Sequence, residues 1–251
     1  MATATIFDGC GGFLCAMLDE KVKEHLMKTL VVVSHPKIDT SNTQQFLKES
    51  LVGLEDVSWY HLDALPTFDL AAERDRIMAA DRIVFQFPLY WYSAPASLKR
   101  WLDEVWTKQV VYDETGGLLR GKTLGLVVSF SQPKRDYQLG GREQFSLSEL
   151  LTPYRALAAK TGLSLLAPLT ISQFAYMSEA AQQGLLVRYQ QYLTLDHPSR
   201  FNERAQWFID QLNAYRDDTT ADLVANQLQD QQDNLERFQH TLAELKRGEA
   251  E

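Results

Sequence analysis

Three segments of the chain collect residues that could bind a ligand or do chemistry. The first, SHPKIDTSNT at 34–43, puts His35 ahead of a run of hydroxyl and amide side chains, with Thr40, Ser41, Asn42 and Thr43 where a helix begins. Unpaired backbone N–H groups and the helix dipole make such a start a cradle for an anion, phosphate above all. Any helix N-cap favours the same residues, so this segment alone leaves both readings open. No Gly-Lys-Ser/Thr follows and no GxGxxG is present, which excludes a Walker A loop and disfavours dinucleotide-fingerprint chemistry here.

The second segment, FPLYWYSAP at 87–95, sets Tyr90, Trp91 and Tyr92 side by side between Pro88 and Pro95. Aromatics clustered in a connection rather than inside an element suit a flat conjugated ligand such as a flavin ring, or a subunit contact; both can hold at once. The third, SFSQPKRDYQLGG at 129–141, has small and polar residues that admit close backbone approach, a phenol at Tyr137, and Gly140-Gly141 to relax the turn. By itself a loop tyrosine such as Tyr137 is more often a packing residue with a satisfied hydroxyl.

The elements that must carry these segments alternate along the chain. Residues 29–34 (TLVVVS) form a continuous β-branched run, the pattern of a strand covered on both faces. Further strands are predicted at 57–62, 82–87, 124–130 and 164–170. Helices are predicted at 41–53, 70–80, 94–106, 146–161, 178–193 and 202–215, with Leu98, Trp101, Leu102 and Val105 recurring at helical spacing in the third. This alternation predicts βαβ units and an α/β, doubly wound, five-stranded parallel sheet. The flavodoxin-like order 2-1-3-4-5 suits it, with a ligand outside the carboxyl ends of strands one, three and four. All three segments leave strands at that rim.

Composition bounds the rest. The 251 residues support a buried core, with 45% hydrophobic and 23% charged residues, and a net charge of −8 carries no diffuse footprint for nucleic acid. No apolar run approaches the ~18–20 residues that span a bilayer. The two cysteines, Cys10 and Cys15, supply neither a disulfide framework nor a multi-cysteine metal site. The first residues lack a basic n-region, which argues against a secretory signal and for a cytoplasmic protein. Residues 1–26 show no periodicity and read as a poorly ordered extension before a domain at 27–216. The segment 217–251 has nine acidic and three basic residues, with Leu228, Leu235 and Leu242 seven apart and Phe238 and Leu245 in a second row. That is an amphipathic helix with a heptad-like seam, to be packed on the body or paired with a partner's copy.

LVVVSHP, FPLYWYSAPASLKRWLDEVW, LLRGKTLGLVVSF and the YxxGG loop together resemble the flavodoxin-like NAD(P)H:quinone oxidoreductases over residues 27–215. That family includes DT-diaphorase, the drug-activity modulators and the ancillary subunits of glutathione-gated potassium efflux systems. The resemblance implies that His35 is the family's strand-one histidine and that Ser41, Asn42 and Thr43 form its phosphate loop. Pro88, Leu89, Tyr90, Trp91 and Tyr92 match the flavin-contacting loop, and Tyr137 the active-site tyrosine. The second flavin loop, usually Thr-Thr-Gly-Gly, reads Ser129, Phe130, Ser131 and Gln132, so side chains stand where backbone approaches the ring. The histidine that accompanies the tyrosine in DT-diaphorase has no counterpart, Glu143 standing near its place.

The implied activity is a two-electron, ping-pong transfer by a bound FMN or FAD, from NAD(P)H as co-substrate to a quinone-like acceptor. Hydride passes through flavin N5, and Tyr137 serves as hydrogen-bond donor. The resemblance also implies a homodimer. A regulatory ancillary subunit of a potassium efflux system keeps the same residues. A flavodoxin-type electron carrier fits less well, because SHPKIDTSN lacks that family's loop glycine.

Overall fold

The computed structural model describes residues 27–111, 117–214 and 219–248. The extension expected at 1–26 lies outside the described residues. Strands β1 (Thr29–Val33), β2 (Val57–His61), β3 (Arg82–Pro88), β4 (Thr123–Phe130), β5 (Ser164–Leu165) and β6 (Leu169–Ser172) form one parallel sheet. Its order is β2-β1-β3-β4-β5, with β6 also paired to β4, which is the doubly wound 2-1-3-4-5 order. Between and after the strands lie α1 (Asn42–Glu49), α2 (Leu70–Ala79), α3 (Ala96–Val105), α4 (Lys108–Val111), α5 (Leu147–Leu150), α6 (Thr152–Thr161), α7 (Glu179–Thr194), α8 (Phe201–Ala214) and α9 (Thr219–Gly248).

The continuous apolar runs are explained by burial on both sides. Alternate residues of a strand point to opposite faces. Leu30, Val32, Ile83, Phe85, Leu124 and Leu126 enter one core with Ile77, Leu98 and Trp101 from α2 and α3. Val31, Val33, Val84 and Val127 enter the other with Leu47 of α1 and Leu185, Tyr189 and Tyr192 of α7. Backbone at Gly125 lets α7 come close: a Cβ there would lie 2.9 Å from the Tyr192 ring.

Several polar groups inside these layers are tied down by hydrogen bonds between elements. Arg82, fully buried, donates to the carbonyls of Tyr192 at 2.6 Å and Leu195 at 2.7 Å, fixing the end of α7 to the start of β3. Tyr189 donates to Gln86 Oε1 at 2.7 Å, and Gln86 Nε2 donates to Gln44 Oε1 at 2.7 Å, so α7, β3 and α1 are linked through the second core. Buried Glu73 accepts from Trp101 Nε1 at 2.8 Å and from the Tyr60 hydroxyl, joining α2, α3 and β2.

Three boundaries differ from the sequence expectation, each for a local reason. The fifth strand, expected as one run over 164–170, is split into β5 and β6. Pro168, without an N–H, stands in the break and cannot donate to the ladder. The helix expected over 146–161 is divided at Leu151, with a proline in the first turn of α6. The first helix stops at Glu49 rather than Gly53, whose φ of 89° belongs to a turn.

Candidate active-site cleft

Parallel ladders bring the carboxyl ends of β1, β3 and β4 into line, and the connections leaving them meet there. Ser34 N–H donates to the Gln86 carbonyl at 2.9 Å, and Leu89 N–H to the Ser129 carbonyl at 2.8 Å, which carries the strand pairing into the loops. A cleft of about 290 Å³ opens between them, lined by His35, Ser41, Thr43, Pro88, Leu89, Tyr90, Ser129, Phe130 and Ser131. The three segments singled out by residue type therefore share one cavity.

At the α1 end, Ser41 is the N-cap: its Oγ accepts from Gln44 N–H at 3.3 Å. The first helical amide bond runs from Gln45 to the Ser41 carbonyl, so the amides of Asn42 and Thr43 precede the intrahelical ladder. Two side chains able to bond an anion, Ser41 and Thr43, line the cleft beside this positive helix end.

His35 is buried and held on every side. Its N–H donates to Asp63 Oδ2 at 2.8 Å, and its carbonyl contacts His61 Nε2 at 2.9 Å. Its Nδ1 accepts from Lys37 N–H at 3.2 Å, so the neutral ring carries its proton on Nε2, which lies 3.4 Å from the Tyr90 hydroxyl. Burial, partly offset by the Asp63 carboxylate and reinforced by His61, holds its pKa below the ordinary 6.5. At neutral pH His35 thus presents an N–H donor, not a cation.

The aromatic loop is a tight hairpin. Tyr90 and Ser93 exchange backbone hydrogen bonds of 2.9 and 3.0 Å, and the two residues between them, Trp91 and Tyr92, have φ of 49° and 66°. This is a I′-type turn, the geometry that Asn-Gly serves without strain, here built from two bulky aromatics. Left-handed backbone at such residues costs about 1–3 kcal/mol each and persists only where surroundings enforce it. Trp91 is 94% exposed and Tyr92 turns outward to donate to Glu143 Oε2 at 2.9 Å. Neither lines the cleft.

Asn42, Gln132 and Tyr137 also stand outside the cleft lining. The Tyr137 ring packs edge-on against Phe130, 5.0 Å between centroids, and both join the first core. Phe130 is buried there, and the Gln132 carbonyl accepts from Ser172 Oγ at 2.8 Å. Ser131 and Gln132 stand where the glycines would be; Ser131 lines the cleft and Gln132 does not, and the cleft stays open. Burial, with Glu143 next, raises the Tyr137 pKa, so its phenol is protonated at neutral pH. Gly141 is required where it stands, because a Cβ would fall 2.3 Å from the Asp136 carbonyl oxygen.

Residue reading missed a fourth wall. Ile171, Gln173, Phe174, Ala175 and Tyr176, which end and follow β6, line the cleft. Gln173 has φ of 51° and donates its N–H to the Phe130 carbonyl at 2.9 Å. The available signal was a second pair of aromatics just past a strand. Also missed was Asp63, which accepts from Ser97 Oγ at 2.7 Å, with Ser97 in turn 2.6 Å from Ser34 Oγ.

An open 2-1-3-4-5 sheet with its cleft at the strand carboxyl ends defines a doubly wound protein of the flavodoxin type. Residues 27–193 match the family described as flavodoxin-like fold, and the chain belongs to it. It is similar to the uncharacterized NAD(P)H oxidoreductase YrkL of Bacillus subtilis, 36% identical over 174 residues, which are 68% of this chain and all of that one. Among solved structures it resembles an NADPH-quinone reductase from P. pentosaceus, 43% identical with TM-score 0.65, covering 67% of this chain and 99% of that one. It also resembles general stress protein 14 of Treponema denticola, solved in complex with FMN, 32% identical with TM-score 0.59 over 66% and 95% of the two chains.

Two predictions test this geometry. Trp91→Asn relieves one left-handed aromatic and loses almost no packing, so the protein gains about 1 kcal/mol and melts about 2–4 °C higher; a lowered melting temperature contradicts the strained turn. For His35, the folded pKa lies below the unfolded value, so the unfolded chain takes up the extra proton. Its contribution is complete above pH 6.5 and is lost as pH falls towards the folded value. The urea midpoint of His35→Gln should therefore fall less steeply than the parent's below that pH, and parallel slopes contradict the assignment.

Proposed function

We propose that the protein is an FMN-dependent NAD(P)H oxidoreductase that passes two electrons to quinone-class acceptors. The observation that carries this reading is the single cleft in which an anion-binding helix start meets two loops of exposed backbone and aromatic groups. FMN-bound and quinone-reductase relatives support the same choice.

The residues divide the work. Ser41, Thr43 and the first-turn amides of α1 would hold the phosphate, with the Nε2–H of neutral His35 donating to the phosphate or ribitol. Pro88, Leu89, Tyr90 and the 129–131 backbone would bracket the ring from two strand ends, and the loop at 173–176 would close the far side. A bound flavin would supply the two-electron redox chemistry between NAD(P)H and the acceptor. Nicotinamide and quinone would take turns in one slot, where stacking makes each transfer effectively intramolecular. Tyr137, protonated at neutral pH, would donate a hydrogen bond to negative charge developing at the ring edge or on the acceptor oxygen.

Turnover by the free protein separates this reading from a purely regulatory subunit.

The purified protein should bind FMN, quench its fluorescence, and oxidise NADPH when a quinone is added. Thr43→Ala should weaken FMN binding about tenfold, and Tyr137→Phe should lower kcat about 10²-fold with FMN affinity unchanged. Protein that neither binds FMN nor oxidises either nicotinamide contradicts the proposal.

A further inference from the structure

The last strand of the sheet is broken, and a cavity lies at the break. β4 pairs with β5 at Leu124↔Leu165 and with β6 at Val127↔Leu169, so three steps along β4 answer four on its neighbour. One residue too many has to leave the ladder, and the chain bows out over 166–168 as a bulge does. A cavity of about 390 Å³ lies between β4, this bulge and the α5–α6 pair. It shares no lining residue with the cleft at the strand ends.

The inner wall is apolar. Leu126, Leu147 and Leu151, all buried members of the first core, line it, and half-buried Leu165 and Leu166 continue it. Two cations line the same cavity: Lys134, from the loop after β4, and Arg155, from the first turn of α6. Both side chains are exposed, and no carboxylate lines the cavity with them. Neither forms an ion pair among the described residues, and Arg155 uses one N–H on Ser148 Oγ at 3.2 Å. The acids nearest to them in sequence are engaged elsewhere. Glu149 accepts from Ser146 N–H and from Ser146 Oγ, each at 2.7 Å, in a capping box, and Asp136 lies 4.0 Å from Arg135. On a chain of net charge −8, two unanswered cations beside a leucine wall are a local exception.

We propose that this cavity binds a carboxylate carried on an apolar body, the class to which medium-chain fatty acids belong. A guanidinium matches a carboxylate with two parallel N–H donors, an ammonium adds a point charge, and the leucines take up the hydrocarbon. A small inorganic anion would leave the leucines against water, and a neutral hydrocarbon would gain nothing from the cations. A ligand that joins the two answers both walls, and the volume lies in the range of small-molecule sites. The site is independent of what the cleft holds.

Calorimetric titration of the full chain with decanoate, kept below its micelle concentration, tests the site, with decanol as the uncharged probe. Decanoate should bind at one site, about tenfold tighter than decanol. Lys134→Ala combined with Arg155→Ala should weaken decanoate about tenfold and leave decanol unchanged, because it removes the charges and spares the leucine wall. Lys48→Ala with Arg188→Ala, two exposed cations outside the cavity, makes the same change in net charge and should leave decanoate binding at the parent value. Saturating FMN should not displace decanoate. Absence of saturable decanoate binding, equal affinity for decanol, or a Lys134/Arg155 double variant that binds like the parent overturns the site. Displacement by FMN puts the acid in the cleft and overturns it as well.

Discussion

The Asp63 carboxylate accepts from the His35 amide at 2.8 Å and from the Ser97 hydroxyl at 2.7 Å, so one side chain joins the segments that leave β1 and β2 to the first turn of α3. Two consequences follow from that junction. The turn after β1 is fixed, which lets Lys37 N–H settle on His35 Nδ1 and leaves Nε2–H as the donor. The turn also delivers Ser41 and the start of α1 to the same rim as the loops after β3 and β4. A free-swinging His35 would offer the cleft either a proton acceptor or a cation; a tied one offers a fixed neutral donor.

Above this junction the structure holds strain rather than relieving it. Trp91 and Tyr92 occupy left-handed backbone that glycine or asparagine would adopt at lower cost. Two flanking restraints keep them there: the Tyr90–Ser93 bridge and the Tyr92–Glu143 hydrogen bond. The outcome is a rigid loop whose aromatic side chains turn away from the cleft while Pro88, Leu89 and Tyr90 line it. Stability is given up at a rim position and recovered in the two cores, a distribution that suits a binding edge.

Much of this was legible in the residues. The runs TLVVV and RIVFQF are apolar without alternation because both faces of the sheet are covered, and that pattern predicted the parallel sheet and its rim. His35, Ser41 and Tyr90 were legible because polar or aromatic residues directly after such strands stand at the rim where the ends of β1, β3 and β4 converge. Asp63 was not, because a lone aspartate after a strand looks like any turn residue and its partners are 28 and 34 positions away. The 173–176 wall was missed because the last strand was expected to end at 170, whereas β6 pairs with β4 as far as Ser172 and carries the segment after it to the rim. Trp91 and Tyr92 were expected at the flavin-contacting loop from their type and from the family resemblance, and their positive φ, which turns them out of the cleft lining, has no signature in an aromatic pair.

A crystal structure of the protein with FMN tests the central claim most directly. The account predicts the phosphate on Ser41, Thr43 and the α1 amides, and the ring between the 88–90 and 129–131 backbones, with His35 Nε2 within hydrogen-bond distance of the ligand. A flavin bound elsewhere, or a phosphate that leaves the α1 start and His35 untouched, would contradict it.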